Sequence, residues 1–350
     1  MSKPLALGLF SFGDNSPELF GEETLTPARR MTNLLEEIVL ADQVGLDFFG
    51  VGEHHRPDFL VSAPVVVLGA AAGLTKRIRL GTAVTVLSSE DPVRVYEQFS
   101  TLDLLSGGRA EIMAGRGSFI ESFPLFGYDL DDYEELFIEK LDLLLALRSQ
   151  GEHVTWAGSG KFRAPLTGQS IQPRPLQDPL PVTIAVGGSP ESAARAGVLG
   201  LPLAIAIIGG QPARFKPFVD YYREAGAGAG HAALAVTINQ HGFLADSSQA
   251  ASDIVWPSYK LMVEKLGRER GWPPQGRAHF EAGRRREGHL VIGSAQEAID
   301  KILAEWELFH MDRFAIQFTV GGHHHREVLR SIEIFGTVVA PVLRKATAGA

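Results

Sequence analysis

The sequence contains no cysteine among its 350 residues. This absence excludes disulfide bonds, thiolate zinc sites and a cysteine nucleophile. Long hydrophobic runs are also missing, because the longest one, residues 63–74, is too short to span a bilayer. Lysine and arginine number 33 against 41 acidic residues, so the net charge is −8 and no dense basic face for nucleic acid is expected. We therefore expect a cytoplasmic protein without membrane or nucleic-acid partners.

What the sequence does contain is a regular alternation of short apolar runs with longer amphipathic segments. Eight runs have the length and composition of strands, at residues 5–12, 47–52, 78–87, 109–115, 180–188, 201–208, 234–245 and 313–322. Strands that alternate with helices predict a parallel sheet with right-handed crossovers. Eight such units predict a closed (β/α)8 TIM barrel that spans residues 1–350 as a single domain.

An open, doubly wound sheet is the alternative architecture. It would need a phosphate-binding loop after the first strand, and residues 11–21, SFGDNSPELFG, contain neither G-x-G-x-x-G nor G-x-x-x-x-G-K-[ST].

Two segments interrupt the regular alternation of strands and helices. Residues 151–179, which follow the fourth strand and its helix, are rich in glycine and proline and predict a small hairpin. Residues 246–289, after the seventh strand, predict a partly helical insertion that could serve as a lid.

The stretch GVGEHHRPDF, residues 50–59, ends the second strand and carries three candidate functional side chains, Glu53, His54 and His55. In a barrel of this kind, functional residues gather at the carboxyl ends of the strands. Adjacent residues of an extended chain point in opposite directions, and no H-E-x-x-H motif is present, so a metal site is not expected. An inward histidine is suited to acid–base work near neutral pH, whereas a histidine satisfied by hydrogen bonds within its loop is the plainer interpretation.

Two other strand ends together suggest a phosphate site. GGSPES, residues 187–192, has two glycines, an N-cap candidate in Ser189 and a proline at the first helical position. Free N–H groups at such a helix start bind phosphate, although an ordinary capped helix has the same pattern. Arg116 follows the neighbouring fourth strand and could pair with the same phosphate, or form only a surface salt bridge.

Two conspicuous charged runs receive structural interpretations. The run His323–His325 follows the last strand and predicts a solvated helix start. The run Arg284–Arg286 predicts an exposed mobile loop, which could also belong to a lid.

In this order, the pieces at residues 45–59, 80–119 and 187–202 resemble the bacterial luciferase-like family of flavin-dependent monooxygenases. The resemblance covers nearly the whole chain, is best over the first 200 residues, and is nearest to the luciferase α-chain because of E-H-H. It implies a TIM barrel that takes reduced FMN from a separate flavin reductase. The flavin would react with O2 to give a C4a-peroxide that oxygenates an organic substrate. A homodimer is implied as well.

The resemblance also implies roles for particular residues. His54 matches the catalytic histidine beside the flavin ring. The cofactor-binding positions are Ala83 and Val84, which match a non-prolyl cis peptide against the ring, together with Gly115, Arg116, Gly187, Gly188 and Ser189. The segment from about 268 to 289 matches the position of a mobile lid that would keep water away from the reaction.

The chain departs from the luciferase α-chain pattern at two places. Gly115 stands where those chains carry a cysteine beside the flavin, and residues 131–136, DDYEEL, stand where they have a second phosphate-binding arginine. The second departure predicts a weaker affinity for FMN.

A deazaflavin-dependent oxidoreductase and a non-catalytic partner subunit remain alternative functions. The substrate stays open, although Phe10, Phe12 and Phe119 would suit an apolar molecule.

Overall fold

The fold is a closed barrel of eight parallel strands with helices on its outer face. The computed structural model describes residues 3–15, 25–117, 119–232 and 234–349. The strands, including four outside the eight-membered ring, are β1 (Ala6–Ser11), β2 (Phe48–Val51), β3 (Arg79–Thr82), β4 (Thr85–Val86), β5 (Ala110–Gly115), β6 (His153–Trp156), β7 (Leu166–Ser170), β8 (Val182–Val186), β9 (Leu203–Ile207), β10 (Val236–Leu244), β11 (Leu290–Gly293) and β12 (Arg313–Gln317).

The barrel closes in the order β1, β2, β3, β5, β8, β9, β10 and β12, with β12 pairing back to β1. Every pairing in this ring is parallel. The predicted (β/α)8 barrel is thus confirmed, and the open doubly wound sheet is excluded. The carboxyl ends of all eight strands consequently lie on one rim.

Helices cover the outside of the barrel. The α-helices are α1 (Pro27–Gln43), α2 (Pro64–Leu74), α3 (Pro92–Ser106), α4 (Ser122–Phe126), α5 (Tyr133–Ser149), α6 (Pro190–Val198), α7 (Lys216–Gly228), α8 (Ser248–Arg270), α9 (Arg277–Arg284), α10 (Ala295–Phe309), α11 (His325–Ile334) and α12 (Ala340–Thr347). Apolar faces of the helices and strands form one continuous buried cluster between the two layers. Within the described residues, no helix combines the length and the apolar character that crossing a membrane requires.

A second, smaller cluster fills the barrel interior below the rim. Phe48, Met113 and Ala204 form this layer. Beneath it, the buried carboxylate of Glu111 pairs with Arg313 and Arg79, at 2.7 Å from Arg79 Nε, while the Arg313 guanidinium lies 4.5 Å from the Phe48 ring centroid. Met113 and Ala204 of this layer also line the cavity described below, so the layer lies next to its inner end.

The two segments outside the regular alternation differ in how well they match expectation. The hairpin predicted within residues 151–179 is confirmed as the antiparallel pair β6–β7. The segment 246–289 is more helical than predicted, since α8 and α9 make up most of it. Its return strand, β11, pairs with the upper part of β10 outside the barrel ring, which the sequence did not indicate.

Both charged runs are more ordered than expected. The solvated helix start predicted for the histidine run is wrong for His323, whose ring packs 4.8 Å from that of Phe243 and whose pKa is lowered to about 3 by burial. His325 pairs with Glu36 at 2.6 Å. The exposed loop predicted for Arg284 is also wrong, because this residue ends α9 and donates hydrogen bonds to the carbonyl oxygens of Ile292 and Ser248.

Candidate active site

A cavity of about 550 Å³ opens at the rim, where the strands end. All the predicted site residues line it: His54, Ala83, Val84, Gly115, Arg116, Gly187, Gly188 and Ser189. The three phenylalanines suggested for an apolar chamber, Phe10, Phe12 and Phe119, line it as well. The barrel topology explains this convergence, because residues far apart in sequence follow neighbouring strands.

His54 lies in an aromatic box just after β2. Its ring centroid is 4.5 Å from that of Phe12, 4.6 Å from that of Phe59 and 5.1 Å from that of Phe119. Its Nε2 is buried and has no hydrogen-bond partner among the described residues. Burial, helped by the charge of Arg56, lowers the pKa of His54 to about 4, so the imidazole is neutral at physiological pH. A buried neutral imidazole with an unpaired nitrogen can hold or accept a proton from a bound molecule.

Glu53 and His55 support the loop that carries His54. The carboxyl of Glu53 accepts a hydrogen bond from the Val86 N–H at 3.1 Å, and its other oxygen lies 3.1 Å from His55 Nε2. Burial raises the pKa of Glu53 to about 8. In the described part of the chain, no group of three or more acidic or histidine side chains is arranged to hold a metal ion.

The peptide bond Ala83–Val84 is cis and joins β3 to the short strand β4. A single strand predicted over 78–87 is therefore divided at this bond. Gly115 packs directly against it, since a Cβ atom at this position would lie 2.9 Å from Val84 Cγ2. The close approach suits a glycine, and Ala83, Val84 and Gly115 together form one wall of the cavity.

Arg116 and the start of α6 meet at the opposite end of this wall. Arg116 Nη2 lies 3.4 Å from Ser192 Oγ, and its guanidinium stands 4.9 Å over the ring of Tyr133. Ser189 caps α6 by accepting the Ser192 N–H, and its hydroxyl donates to Glu191 at 2.9 Å. The structure thus brings together the cation and the helix N-terminus that the sequence suggested as partners.

Several polar residues of the cavity were missed by the sequence analysis. Asn239 and His241 on β10 and Gln317 at the end of β12 line the wall formed by these two strands, and Asp14 lies next to it. Polar residues at alternate positions of an otherwise apolar barrel strand, as in TINQHGF, were the available signal, because alternate side chains share one face. Burial lowers the pKa of His241 to about 3, so this side chain is also neutral.

The family of the chain follows from comparison with known proteins. The family described as luciferase-like monooxygenase matches residues 6–312. The chain belongs to this family, a class of oxidoreductases. One relative is the 4-hydroxyprotoasukamycin monooxygenase of Streptomyces nodosus subsp. asukaensis, 29% identical over 86% of this chain and 83% of its own.

Solved structures share the fold. The monooxygenase RslO1 from Streptomyces bottropensis superposes with a TM-score of 0.84 at 21% identity and covers 97% of this chain and 99% of its own. The oxygenating constituent of 3,6-diketocamphane monooxygenase from Pseudomonas putida, in complex with FMN, superposes with a TM-score of 0.75 at 18% identity and covers 97% of this chain and 98% of its own. An F420-dependent secondary alcohol dehydrogenase superposes with a TM-score of 0.74 at 18% identity and covers 97% of this chain and 99% of its own. Similar barrels therefore serve both flavin and deazaflavin enzymes.

Proposed function

We propose that this chain is the oxygenating component of a two-component monooxygenase. It would take reduced FMN from a separate flavin reductase and use O2 to oxygenate a small, largely apolar organic substrate. The observation that carries the proposal is the shape of the cavity. One continuous space joins a cationic end, at Arg116 and the start of α6, to the wall at Ala83, Val84 and Gly115 and to the aromatic box around His54.

The residues present fit a flavin mononucleotide. Arg116 and the N-terminus of α6 would hold its phosphate, and Gly187 and Gly188 would let the backbone approach closely. Ala83, Val84 and Gly115 line the cavity with small apolar surfaces, which suit the face of a planar ring. When bound, the reduced flavin supplies the reaction with O2, for which protein side chains have no equivalent.

The protein's own contribution is to hold a proton and to exclude water. His54 Nε2 is buried, neutral and unpaired, so it can exchange a proton with the bound molecules. Phe12, Phe59 and Phe119 surround it and keep water from the reacting atoms.

The proposal includes a lid and an assembly state. We propose one luciferase-like barrel domain in which residues 246–289 act as the lid. Leu261, Met262 and Trp272 of this segment line the cavity, and Lys265 forms an ion pair with Asp58 beside it. Slower tryptic cleavage after Arg268 and Arg270 in the presence of FMN would support closure over the cofactor.

A homodimer in the cytoplasm completes the proposal, and light scattering coupled to gel filtration measures the oligomeric state.

A deazaflavin-dependent oxidoreductase is the second candidate, favoured by the F420-dependent enzyme of similar fold. Equilibrium titration of the protein with FMN and with F420 discriminates the two, because only the physiological cofactor should bind tightly. A non-catalytic partner subunit, the third possibility, is excluded if the purified chain turns over substrate without a second subunit.

The test of the principal proposal is the oxygen reaction of chemically reduced FMN, with and without stoichiometric protein, followed by absorbance. We expect the protein to slow the return of oxidised FMN and to populate an absorbing species that free flavin does not accumulate. Oxidation as fast as in free solution, with no binding of FMN, would contradict the proposal and favour the deazaflavin enzyme.

A further inference from the structure

A buried carboxyl next to the cavity fixes the orientation of one amide side chain. Asp14, just after β1, is 4% exposed. Its two oxygens accept hydrogen bonds from Gln317 Nε2 at 3.2 and 3.1 Å, and one of them accepts the Thr319 hydroxyl at 2.7 Å. The buried guanidinium of Arg30 donates to the backbone oxygen of Asp14 at 3.0 Å. This network holds the carboxyl in place from several sides.

The fixed amide leaves a hydrogen-bond acceptor without a partner. Gln317 Nε2 is the atom that faces both oxygens of Asp14, so the oxygen of the amide points away from the carboxyl. Burial raises the pKa of Asp14, and the hydrogen bonds from Thr319 and Gln317 and the charge of Arg30 oppose this rise. Gln317 Oε1 is buried and has no partner among the described residues, and the same is true of Asn239 Oδ1. Both residues line the cavity. Buried acceptors left unpaired are costly, and a donor on a bound molecule would remove that cost.

The position of these two oxygens favours the substrate over the cofactor phosphate as their partner. Gln317 lies on β12, which is opposite β5 and Arg116 in the ring, and Asn239 lies on β10, which β9 separates from β8 and α6. Phe10 and Phe12 of the adjoining strand β1 line the same side of the cavity. A molecule bound here would therefore contact an apolar surface with carbonyl oxygens set into it.

The charges around this end of the cavity disfavour an anion. Arg56 is paired with Asp58, Glu121 and Glu269, and Lys265 is paired with Asp58. The Arg270 guanidinium stacks on the rings of Phe119 and Trp272. At the wall itself, the groups are two amide oxygens, a neutral imidazole and the Asp14 carboxyl. A carboxylate or sulfonate would face the two amide oxygens there, which are acceptors and offer it no hydrogen bond.

We propose that the substrate is a neutral, apolar molecule that carries an O–H or N–H donor, and that Gln317 and Asn239 accept the hydrogen bond of this donor. Asp14 is the positioning residue that turns the oxygen of Gln317 toward the substrate. This inference rests on the proposed monooxygenase function and deepens it, because it names the chemical class of the substrate and the residues that select it.

The test compares three probes that share a butylphenyl group and differ in the polar end: para-butylphenol, para-butylanisole and para-butylbenzoate. Their affinities are measured by titration calorimetry on the full chain saturated with FMN. We expect the phenol to bind about tenfold more tightly than the ether, whose donor is blocked, and the benzoate to bind most weakly. Gln317→Leu should lower the affinity for the phenol to nearly that of the ether. Gln296→Leu, a matched change on the surface of α10, should keep the preference.

Asp14→Asn tests the positioning role separately. An asparagine can present either an oxygen or an NH2 group to Gln317, so the amide of Gln317 is no longer held in one orientation. We expect the preference for the phenol over the ether to fall about threefold, with the affinity for the ether unchanged. A residue that only supported the fold would change both affinities together.

Three results would overturn the inference: equal affinities for phenol and ether in the unaltered protein, a preference that survives Gln317→Leu, or tightest binding of the benzoate. If Gln317→Leu weakens FMN binding and leaves the probe preference intact, the donor belongs to the flavin and the substrate assignment is wrong. Failure of the monooxygenase proposal is seen independently, as absence of FMN binding by the unaltered protein.

Discussion

His54 combines a low pKa with an unpaired nitrogen, and this combination makes a direct prediction. We expect His54→Ala to lower kcat by about a hundredfold or more, the usual contribution of a positioned acid or base, with FMN affinity little changed. Because burial lowers the pKa of His54 to about 4, the pH profile of kcat should show no step from this residue between pH 5.5 and 7.5. Steady-state kinetics with excess reductase measure the change in kcat and the pH profile of kcat.

His153→Ala, on the exposed side of β6, is the matched control for the change at His54 and should leave kcat unchanged. An unaltered kcat in His54→Ala, with FMN bound, would remove this residue from the chemistry.

Glu53 gives the second residue-scale prediction, on stability. Its pKa rises to about 8 in the folded protein, from 4.5 for an unperturbed carboxyl. Between these values the folded state keeps a proton that the unfolded chain has lost, so the stability of the unaltered protein should fall as pH rises, by up to about 1.4 kcal/mol per pH unit. Glu53→Gln removes this slope and keeps both hydrogen-bonding atoms. In urea unfolding, the free energy of unfolding of Glu53→Gln minus that of the unaltered protein should therefore be larger at pH 8 than at pH 5.5.

Glu224→Gln, on the exposed surface of α7, serves as the control and should show the same pH dependence as the unaltered protein. Parallel slopes for the unaltered protein and Glu53→Gln would show that the carboxyl of Glu53 ionises normally.

At the scale of elements, α6 and the end of β5 form the proposed phosphate site. We expect Arg116→Ala to weaken FMN binding about tenfold or more while leaving riboflavin binding nearly unchanged, since riboflavin lacks the phosphate. Glu191→Gln should have the opposite effect and tighten FMN binding about twofold to fivefold, because the Glu191 carboxylate hydrogen-bonds Ser189 at the helix start and competes with a phosphate there.

Fluorescence titration with the two flavins measures these effects, and Arg94→Ala, which breaks only an exposed ion pair on α3, is the control. Equal losses for FMN and riboflavin in Arg116→Ala would place the phosphate elsewhere.

The sequence predicted those parts of the site that follow from strand ends. His54, Arg116 and Ser189 could be found because parallel strands in a barrel bring their carboxyl ends to one rim. Asn239 and Gln317 could not be found in the same way. Asn239 lies inside β10 and Gln317 is the last residue of β12, and the role of each depends on which of its atoms other side chains already satisfy. The hydrogen bond from Gln317 to Asp14 joins residues 303 positions apart, and no local pattern encodes it.

At the scale of the whole molecule, the buried ion pairs below the cavity predict a stability effect. Glu111 contacts both Arg313 and Arg79, and these cations lower its pKa despite burial. Glu111→Gln should cost about 3 kcal/mol in the free energy of unfolding, because it leaves two partly buried guanidinium groups without their counter-charge. Since the folded pKa is lowered, the difference should be complete above pH 4.5 and shrink as pH falls further.

Urea unfolding at pH 7 and pH 4 measures the cost of Glu111→Gln. Glu97→Gln, which breaks an exposed pair with Arg94, should cost less than about 1 kcal/mol. If the two variants are equally stable, the pair below the cavity contributes no more than a surface one.

The barrel itself was predictable, because eight alternations of strand and helix leave few other topologies. The break between β3 and β4 and the additional strand β11 were harder to predict from the sequence. The sequence predicts one strand in place of β3 and β4, since residues 78–87 are rich in β-branched and apolar side chains and do not reveal the break at Ala83–Val84. β11 was hidden because four residues in a segment of mixed polarity carry too little periodicity to be recognised.

Strand β10 has a consequence beyond the site. Its lower part belongs to the barrel wall, and its upper part pairs with β11, so that Leu244 and Gly293 stand side by side where residues 245–292 leave and rejoin the barrel. Residues 245–292 therefore form an insertion whose flanking residues, Leu244 and Gly293, are held together by the pairing of β10 with β11. Exchanging residues 245–292 for the equivalent segment of a relative should therefore leave the pairing of β10 with β9 and β12 intact.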